Sequence, residues 1–209
     1  MSIEEKTQAA INFVKPFISG YDSGHDWWHI DRVRNLSRYI NDRENLADPF
    51  MLDIAAILHD AADSKFNKDI IQDRYTAVGK LMDENEMGDM SDDILKIIKN
   101  VSFSSRHKSG NFSHPVLSIL RDADKLDAIG AIGIARAFNY GGFRNNPIYL
   151  PGEVNGGQGR STVGHFYDKL LKLKDMMNTK TGYDLAIKRH HILLEFLDHF
   201  YSEWEFGTK

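Results

Sequence analysis

Cysteine is missing from this sequence of 209 residues. The absence excludes disulfides, thiolate metal ligands and cysteine nucleophiles, and it is typical of proteins in a reducing cytoplasm. Long apolar runs are missing too, since no stretch approaches the roughly 20 residues that a membrane-spanning helix needs. Residues 1–6 lack the basic region and apolar core of a signal peptide. We therefore expect a cytoplasmic protein with no membrane partner.

A large excess of either charge is also absent. The 26 basic and 30 acidic side chains give a net charge of −4, and the isoelectric point is about 6.1. This balance argues against a general nucleic-acid binder. Apolar residues make up 42% and charged residues 27% of the chain, as in ordinary globular proteins. At this length the chain suits one domain with a sizeable core, so we expect a single domain without a nucleic-acid partner.

Apolar residues recur at helical spacing along most of the chain. The pattern predicts helices over residues 3–18, 50–62, 68–87, 162–177 and 183–204, with others ending near Ile40, Val101 and Phe138. Pro49 and Pro115 stand at helix starts, where proline is favoured. No segment alternates convincingly as a strand does. The predicted fold class is therefore all-α.

Residues 139–160 interrupt this pattern with six glycines and two prolines. Loops of this length inside a compact domain are usually functional lids or partly disordered segments. We therefore predict a long Gly/Asn-rich loop or lid here.

The first candidate site lies where an apolar run ends in His59 and Asp60, with Asp63 three residues later. Residues three and four apart share a helix face, so Asp63 would lie one turn from the pair. Buried charge is costly unless it is paired or bound to a metal. A capped helix end would explain an isolated His-Asp pair equally well, so the interpretation depends on the rest of the chain.

Matching residues occur on both sides of this pair. His25 and His29 are one helical turn apart and Arg32 follows, while Asp124 and Asp127 share a face farther along. The candidate ligands, drawn from three helices, are His29, His59, Asp60 and Asp124. Two imidazoles and two carboxylates suit Mn, Fe, Co, Ni or Zn, and the carboxylates would also accept Mg.

Helix geometry restricts this ligand set, and other side chains could take part in the chemistry beside it. Adjacent residues on a helix point about 100° apart, so His59 and Asp60 reach one ion only at a helix bend or inner rim. Asp63 is placed to orient or deprotonate a metal-bound water, whose pKa such an ion lowers. Cations that could balance phosphate charge are Lys65, Arg136, Arg144 and Lys169.

The pattern of His29, the His59-Asp60 pair and Asp124 within Ala-Asp-Lys-Leu-Asp resembles the signature of the HD superfamily of metal-dependent phosphohydrolases. Residues 24–29, 58–66, 122–136 and 165–170 are similar to a bacterial branch of that family. The branch includes nucleotide pyrophosphohydrolases, which split (deoxy)nucleoside triphosphates into monophosphate and pyrophosphate. The four similar blocks occur in the same order, and the resemblance spans most of the chain.

The resemblance implies a single HD-type helical domain over residues 1–209. Its parts would be a metal-binding core at 1–140, the loop or lid at 141–160, and C-terminal helices at 161–209 that pack on the core. It implies one divalent ion per chain, Mn²⁺ as first choice before Mg²⁺, Co²⁺, Ni²⁺ or Fe²⁺. The ligands would be His29, His59, Asp60 and Asp124.

The same resemblance guides the other expected roles. Related alarmone hydrolases keep an acidic residue beside the reaction centre at the position of Asp63, and we expect Asp63 and Lys65 to take part in catalysis. The expected substrate contacts are His25, Arg32, Asp127, Arg136, Arg144, His165 and Lys169.

Some assignments have alternatives. Asp127 competes with Asp124 as the fourth ligand, and His25 could be structural. His107 and His114 lie where dinuclear relatives place extra ligands, but no histidine lies between Asp60 and His107, so we favour one metal. Ordinary surface or packing histidines are expected at His190, His191 and His199.

The expected function is hydrolysis of a small nucleotide, and a homodimer is an open alternative to a monomer. Other HD activities, such as those of a 5′-nucleotidase, an alarmone hydrolase or a cyclic-nucleotide phosphodiesterase, remain open because the signature leaves the base pocket unspecified. A non-catalytic regulatory module is the alternative of a different class. Retention of all four ligands and of Asp63 favours the enzyme.

Overall fold

The computed structural model describes residues 1–18, 26–61, 68–101, 112–153 and 160–206. Across these ranges the chain forms α-helices and short 3₁₀ helices without any strand, which confirms the all-α prediction. None of the helices described there is long and apolar enough to cross a membrane.

The first of two compact units ends at Ala123. Its helices are α1 (Ile3–Val14), α2 (Trp27–Glu44), α3 (Pro49–Leu58), α4 (Lys68–Glu84), α5 (Ser91–Val101) and the greater part of α6 (Pro115–Asp127). Short 3₁₀ helices occupy Lys15–Phe17 and Gly88–Met90. The core helix is α3, which packs against α1, α2 and α5.

Burial explains the central place of α3. Every residue from Leu52 to Leu58 is buried, and each large apolar side chain among them contributes about 1.5–3 kcal/mol to stability. Its start is well defined, because Pro49 occupies the first turn and the Asp48 carboxylate accepts a hydrogen bond from the Met51 amide at 2.7 Å. The helix start predicted at Pro49 is thus confirmed.

A tight connection joins α2 to α3. Asn45 ends α2 in the left-handed conformation, at φ 50°. The buried Asn41 amide donates to the Ala47 carbonyl at 2.9 Å, and its side-chain oxygen accepts from the amides of Leu46 and Ala47 at 3.2 and 3.0 Å. One buried side chain therefore satisfies three backbone groups of the turn and fixes its shape.

The second unit begins at Asp124. It contains the end of α6, then α7 (Gly130–Phe143), α8 (Thr162–Asp168), a 3₁₀ helix at Leu170–Met176 and α9 (Lys180–Trp204). Phe138, Phe166 and Phe196, from α7, α8 and α9, form its aromatic core with ring centroids 5.6–5.9 Å apart. The helix predicted over 162–177 is divided at Lys169, whose φ of −136° and ψ of −57° leave the α-helical region.

Helix α7 continues to Phe143, three residues into the range 141–160 for which a loop or lid is predicted. Gly141 lies within α7 with α8 close against it: a Cβ at this position would be 2.1 Å from the Thr162 hydroxyl oxygen. Here glycine permits close packing instead of marking a loop.

The described part of the loop contacts α9 and the start of α8. Tyr149 lies against Phe200, Tyr201 and Trp204 of α9, with ring centroids 5.2–5.8 Å apart. The Glu153 carboxylate accepts hydrogen bonds from the Ser161 amide and hydroxyl at the start of α8. These bonds hold the pKa of Glu153 below its usual value, since they favour the charged carboxylate. Residues 154–159 lie outside the described ranges.

One arginine closes the junction between α6 and α7. Gly130 has a φ of +76°, and a Cβ there would meet the Cγ of Arg189 at 3.0 Å. The guanidinium of Arg189 donates a hydrogen bond to the Leu126 carbonyl in the last turn of α6. Arg189 thus lies over the glycine and satisfies a carbonyl at the end of the helix.

Candidate metal centre

His29 is held in the first turn of α2. The Asp26 side chain accepts a hydrogen bond from the His29 amide at 2.8 Å, so Asp26 is the N-cap of α2. The His29 ring is fully buried. A buried imidazole so close to the helix start has little freedom to turn away.

His59 stands at the other end of a helix, as the C-cap residue of α3. Its Nδ1 is 2.7 Å from the Ala56 carbonyl oxygen. Since a carbonyl only accepts, Nδ1 carries the proton and donates it, which leaves a lone pair on Nε2. That Nε2 lies 3.3 Å from Nε2 of His29. The two imidazoles thus converge through the atoms that bind metals.

Asp60 faces the same point. Its two carboxylate oxygens are each 3.5 Å from one of the imidazoles, Oδ2 from His29 Nε2 and Oδ1 from His59 Nε2. Helix α3 ends at Leu58, and the Ala61 amide bonds back to the Leu58 carbonyl at 2.9 Å, three residues earlier. This tighter turn lets two adjacent residues reach one point, as the sequence requires of His59 and Asp60.

Asp124 lies on α6, directly after Ala123 in an unbroken helix. Ligand atoms of His29, His59 and Asp124 lie within 4.8 Å of one another. Nitrogen ligands about 2.1 Å from one ion are roughly 3–3.5 Å apart at ordinary coordination angles. The 3.3 Å between the two Nε2 atoms fits this spacing. The donor set of imidazole nitrogens and carboxylate oxygens therefore suits a divalent transition metal.

Asp127, the alternative fourth ligand, has a different partner. Its carboxylate is almost fully buried and pairs with Arg136, whose Nη1 lies 2.5 Å from Oδ2. The same Nη1 also lies 3.3 Å from the Asp127 carbonyl oxygen. This ion pair favours Asp124 over Asp127 as the metal ligand.

The part of the chain that carries this site matches a known protein family. Residues 27–129 match the family model of the HD domain. The matched range contains His29, His59, Asp60 and Asp124. This chain belongs to the HD superfamily. The resemblance to the HD superfamily is confirmed, and with it a hydrolase fold of the metal-dependent phosphohydrolase type.

Individual relatives match nearly the whole chain. YpgQ of Bacillus subtilis (strain 168) is 38% identical over 189 residues, which are 88% of this chain and 87% of YpgQ. A crystal structure of YpgQ in complex with ADP is similar with a TM-score of 0.77 and 34% identity, and covers 97% of this chain and 100% of that chain. An HD-superfamily hydrolase from Bacillus thuringiensis has a TM-score of 0.74 and 35% identity, over 99% of this chain and 100% of that one.

The other residues predicted from the HD resemblance fall into three groups. His25, Asp63, Lys65 and His107 lie outside the described ranges. Arg32 lies on α2, three residues after His29, and is partly buried. The second unit carries Arg144, exposed at the end of α7, and His165 and Lys169 in and directly after α8. Their roles stay predictions.

The environment of His165 gives a prediction about pH. Burial, together with the nearby Lys169 ammonium, holds the pKa of His165 below its ordinary value of 6.5, while Asp168 opposes the shift. The unfolded chain therefore takes up this proton first as the pH falls. The neutral ring contributes stability that is present above about pH 6.5 and is lost as the pH falls through the lowered pKa. His165→Gln should show a shallower loss of urea resistance between pH 7.5 and 5 than the wild type.

The exposed His199 provides the control, because His199→Gln removes an exposed imidazole from α9. Equal acid sensitivity in His165→Gln and wild type would show that His165 does not contribute. Burial also lowers the pKa of His190, so some acid sensitivity should remain in the His165 variant.

Sequence reasoning missed one buried charged cluster. Asp53 is only 6% exposed and binds two arginines of α2, Arg34 and Arg38. The available signal was a single carboxylate inside the apolar run from Leu52 to Leu58, where an unpaired charge would be costly. Its partners lie 15 and 19 positions away and could not be identified from helical spacing.

Proposed function

We propose that this chain is a metal-dependent phosphohydrolase that splits (deoxy)nucleoside triphosphates into monophosphate and pyrophosphate. The observation that carries the proposal is the convergence of the His29 and His59 Nε2 atoms, 3.3 Å apart, on a point that the Asp60 carboxylate also faces. Nucleotide as the substrate class is supported by YpgQ, which is 34% identical in the structure solved with ADP.

In this proposal His29, His59, Asp60 and Asp124 hold one divalent ion, with Mn²⁺ as the first choice. The two carboxylates offset the charge of the ion, and the Ala56 carbonyl keeps the His59 lone pair directed at it. When bound, such an ion lowers the pKa of a water molecule and polarises a phosphoryl oxygen.

The remaining steps are assigned to side chains of the chain itself. Asp63 accepts the proton of the attacking water, and Lys65 offsets charge on the phosphoryl group. His25, Arg32, Arg144, His165 and Lys169 contact the substrate. Asp127 and Arg136 form an ion pair with each other, so Arg136 reaches a phosphate only if that pair opens.

The test is a panel of nucleoside mono-, di- and triphosphates with Mn²⁺-loaded protein, in which phosphate and pyrophosphate are measured separately. The proposal expects equal amounts of monophosphate and pyrophosphate from triphosphates. In ¹⁸O-labelled water the label should enter the monophosphate, because attack at the α-phosphorus leaves pyrophosphate as the leaving group.

Other outcomes of the panel would replace this proposal. Phosphate released from monophosphates would indicate a 5′-nucleotidase with the same metal centre. Label in the pyrophosphate would indicate attack at the β-phosphorus. No turnover by protein that retains metal would favour a nucleotide-binding regulatory module. Light scattering of the same sample would distinguish a monomer from a homodimer.

A further inference from the structure

The buried Asp53 carboxylate uses both of its oxygens. Oδ1 accepts a hydrogen bond from Nε of Arg34 at 2.7 Å and forms an ion pair with Arg38, whose Nε lies 2.8 Å away. Oδ2 accepts from Nη2 of Arg34 at 2.6 Å. Arg34 thus binds in the two-pronged geometry that fixes direction as well as distance. We call Arg34, Arg38 and Asp53 the α2–α3 clamp.

The clamp joins the same two helices that carry the converging imidazoles. Three residues of α2 make these contacts, in chain order His29, Arg34 and Asn41. Their partners are, in the same order, His59 just after the end of α3, Asp53 within α3 and Ala47 before its start. Positions rise along one helix as they fall along the other, so the two helices are antiparallel.

The spacing of these contacts matches on the two helices. The axial rise from His29 to Arg34 is about 7.5 Å, and that from Asp53 to His59 is about 9 Å. Along each helix the clamp therefore lies within about two turns of the imidazole, and there it holds one helix against the other. A slip of one residue along the interface would move a ring by about 1.5 Å, which is large compared with the tolerance of a metal site.

Stability alone is a weak reason for such a cluster. A buried ion pair gains little over well-packed apolar side chains, because both charges must leave water. Its distinctive property is that only one arrangement of the helices satisfies the fork of Arg34. The cluster is therefore suited to fixing the position of α2 relative to α3.

We propose that the α2–α3 clamp sets the register of α2 against α3, and that Arg34, Arg38 and Asp53 are positioning residues for the two histidine ligands. The proposal rests on the metal centre of the proposed function and is independent of the substrate. Loss of the clamp should weaken metal binding and change the coordination geometry while the fold is retained.

The experiment compares Asp53→Asn with wild type. Titration calorimetry with Mn²⁺ should show affinity lowered about tenfold, comparable to the loss of an outer-shell partner. The visible absorption of bound Co²⁺ should also change, because it reports coordination geometry and is insensitive to stability below the unfolding temperature.

Met82→Ala is the matched control. Met82 is fully buried on α4, which packs on α1 and α5, so the variant loses stability without touching the clamp. It should bind Mn²⁺ with wild-type affinity and give the wild-type Co²⁺ spectrum. Wild-type affinity and spectrum in Asp53→Asn, or an equal loss in Met82→Ala, would overturn the proposal.

If Asp53→Asn does not fold, Arg34→Lys takes its place, since lysine keeps the charge and loses the fork. A weaker affinity in that variant supports the clamp, and an unchanged one overturns it. Wild-type protein that bound neither Mn²⁺ nor Co²⁺ would refute the metal centre and the clamp together. Failure of the nucleotide panel with metal bound would refute only the substrate.

Discussion

Asp60→Ala is expected to release the divalent ion and to reduce hydrolysis to below about 1% of the wild-type rate. Asp60 is the carboxylate that faces both imidazoles, at 3.5 Å from each Nε2. Without it the centre keeps two neutral nitrogens and loses one of its negative charges. Outer-shell replacements alone weaken metal binding about 10–100-fold, so loss of a direct ligand should exceed that range.

The measurement is the metal content of dialysed protein by mass spectrometry, with calorimetry for the affinity. Asp42→Ala is the matched control, because Asp42 is an exposed carboxylate on α2, and it should retain metal as the wild type does. Asp60 is part of the turn after α3, so circular dichroism must show that the variant is folded. A folded Asp60→Ala protein with wild-type metal content would refute Asp60 as a ligand.

Arg136→Met is expected to lower the free energy of unfolding by about 3 kcal/mol, in the range for removing one partner of a buried ion pair. The side chain of Asp127 is only 1% exposed, and Arg136 binds it at 2.5 Å. Methionine fills the space and supplies no charge, so the carboxylate loses its observed ion-pair partner. The loss also removes a donor from the Asp127 carbonyl at the end of α6.

Urea denaturation of Arg136→Met and of Arg136→Met/Asp127→Leu measures this effect. The double variant should recover much of the stability, because a buried pair replaced by apolar side chains is often tolerated. Unchanged stability with a raised KM would instead assign Arg136 to the substrate phosphates, as the sequence predicts. The free energy of unfolding and KM, measured together, therefore distinguish a structural role of Arg136 from a role in substrate binding.

Local patterns predicted most of the helices. Pro49 and Pro115 mark helix starts that the structure contains, and the apolar periodicity of 183–204 corresponds to α9. Errors arose where tertiary contacts decide the conformation. Gly141 lies within α7 and packs closely against Thr162, a contact that no local pattern reveals, and α8 ends before the apolar pattern does.

The candidate site shows the same division. His29, His59 and Asp124 could be selected from residue type and helical spacing, and the structure places their ligand atoms together. Asp127 shares a helix face with Asp124, and in the sequence only the Ala-Asp-x-Leu context favours Asp124. The structure distinguishes them, because a carboxylate oxygen of Asp124 lies with the imidazole nitrogens while Asp127 pairs with Arg136 on the next helix. The arginine partners of Asp53 in the clamp could not be identified either, since they depend on the antiparallel pairing of α2 and α3.

The contact of Arg189 with Gly130 has a consequence for sequence variation among relatives. A positive φ at position 130 admits glycine and, at some cost, asparagine. Any side chain there also meets the Arg189 stem, which a Cβ would approach to 3.0 Å. Positions 130 and 189 should therefore vary together: a relative with asparagine at 130 should carry a small residue at 189 and satisfy the Leu126 carbonyl by other means.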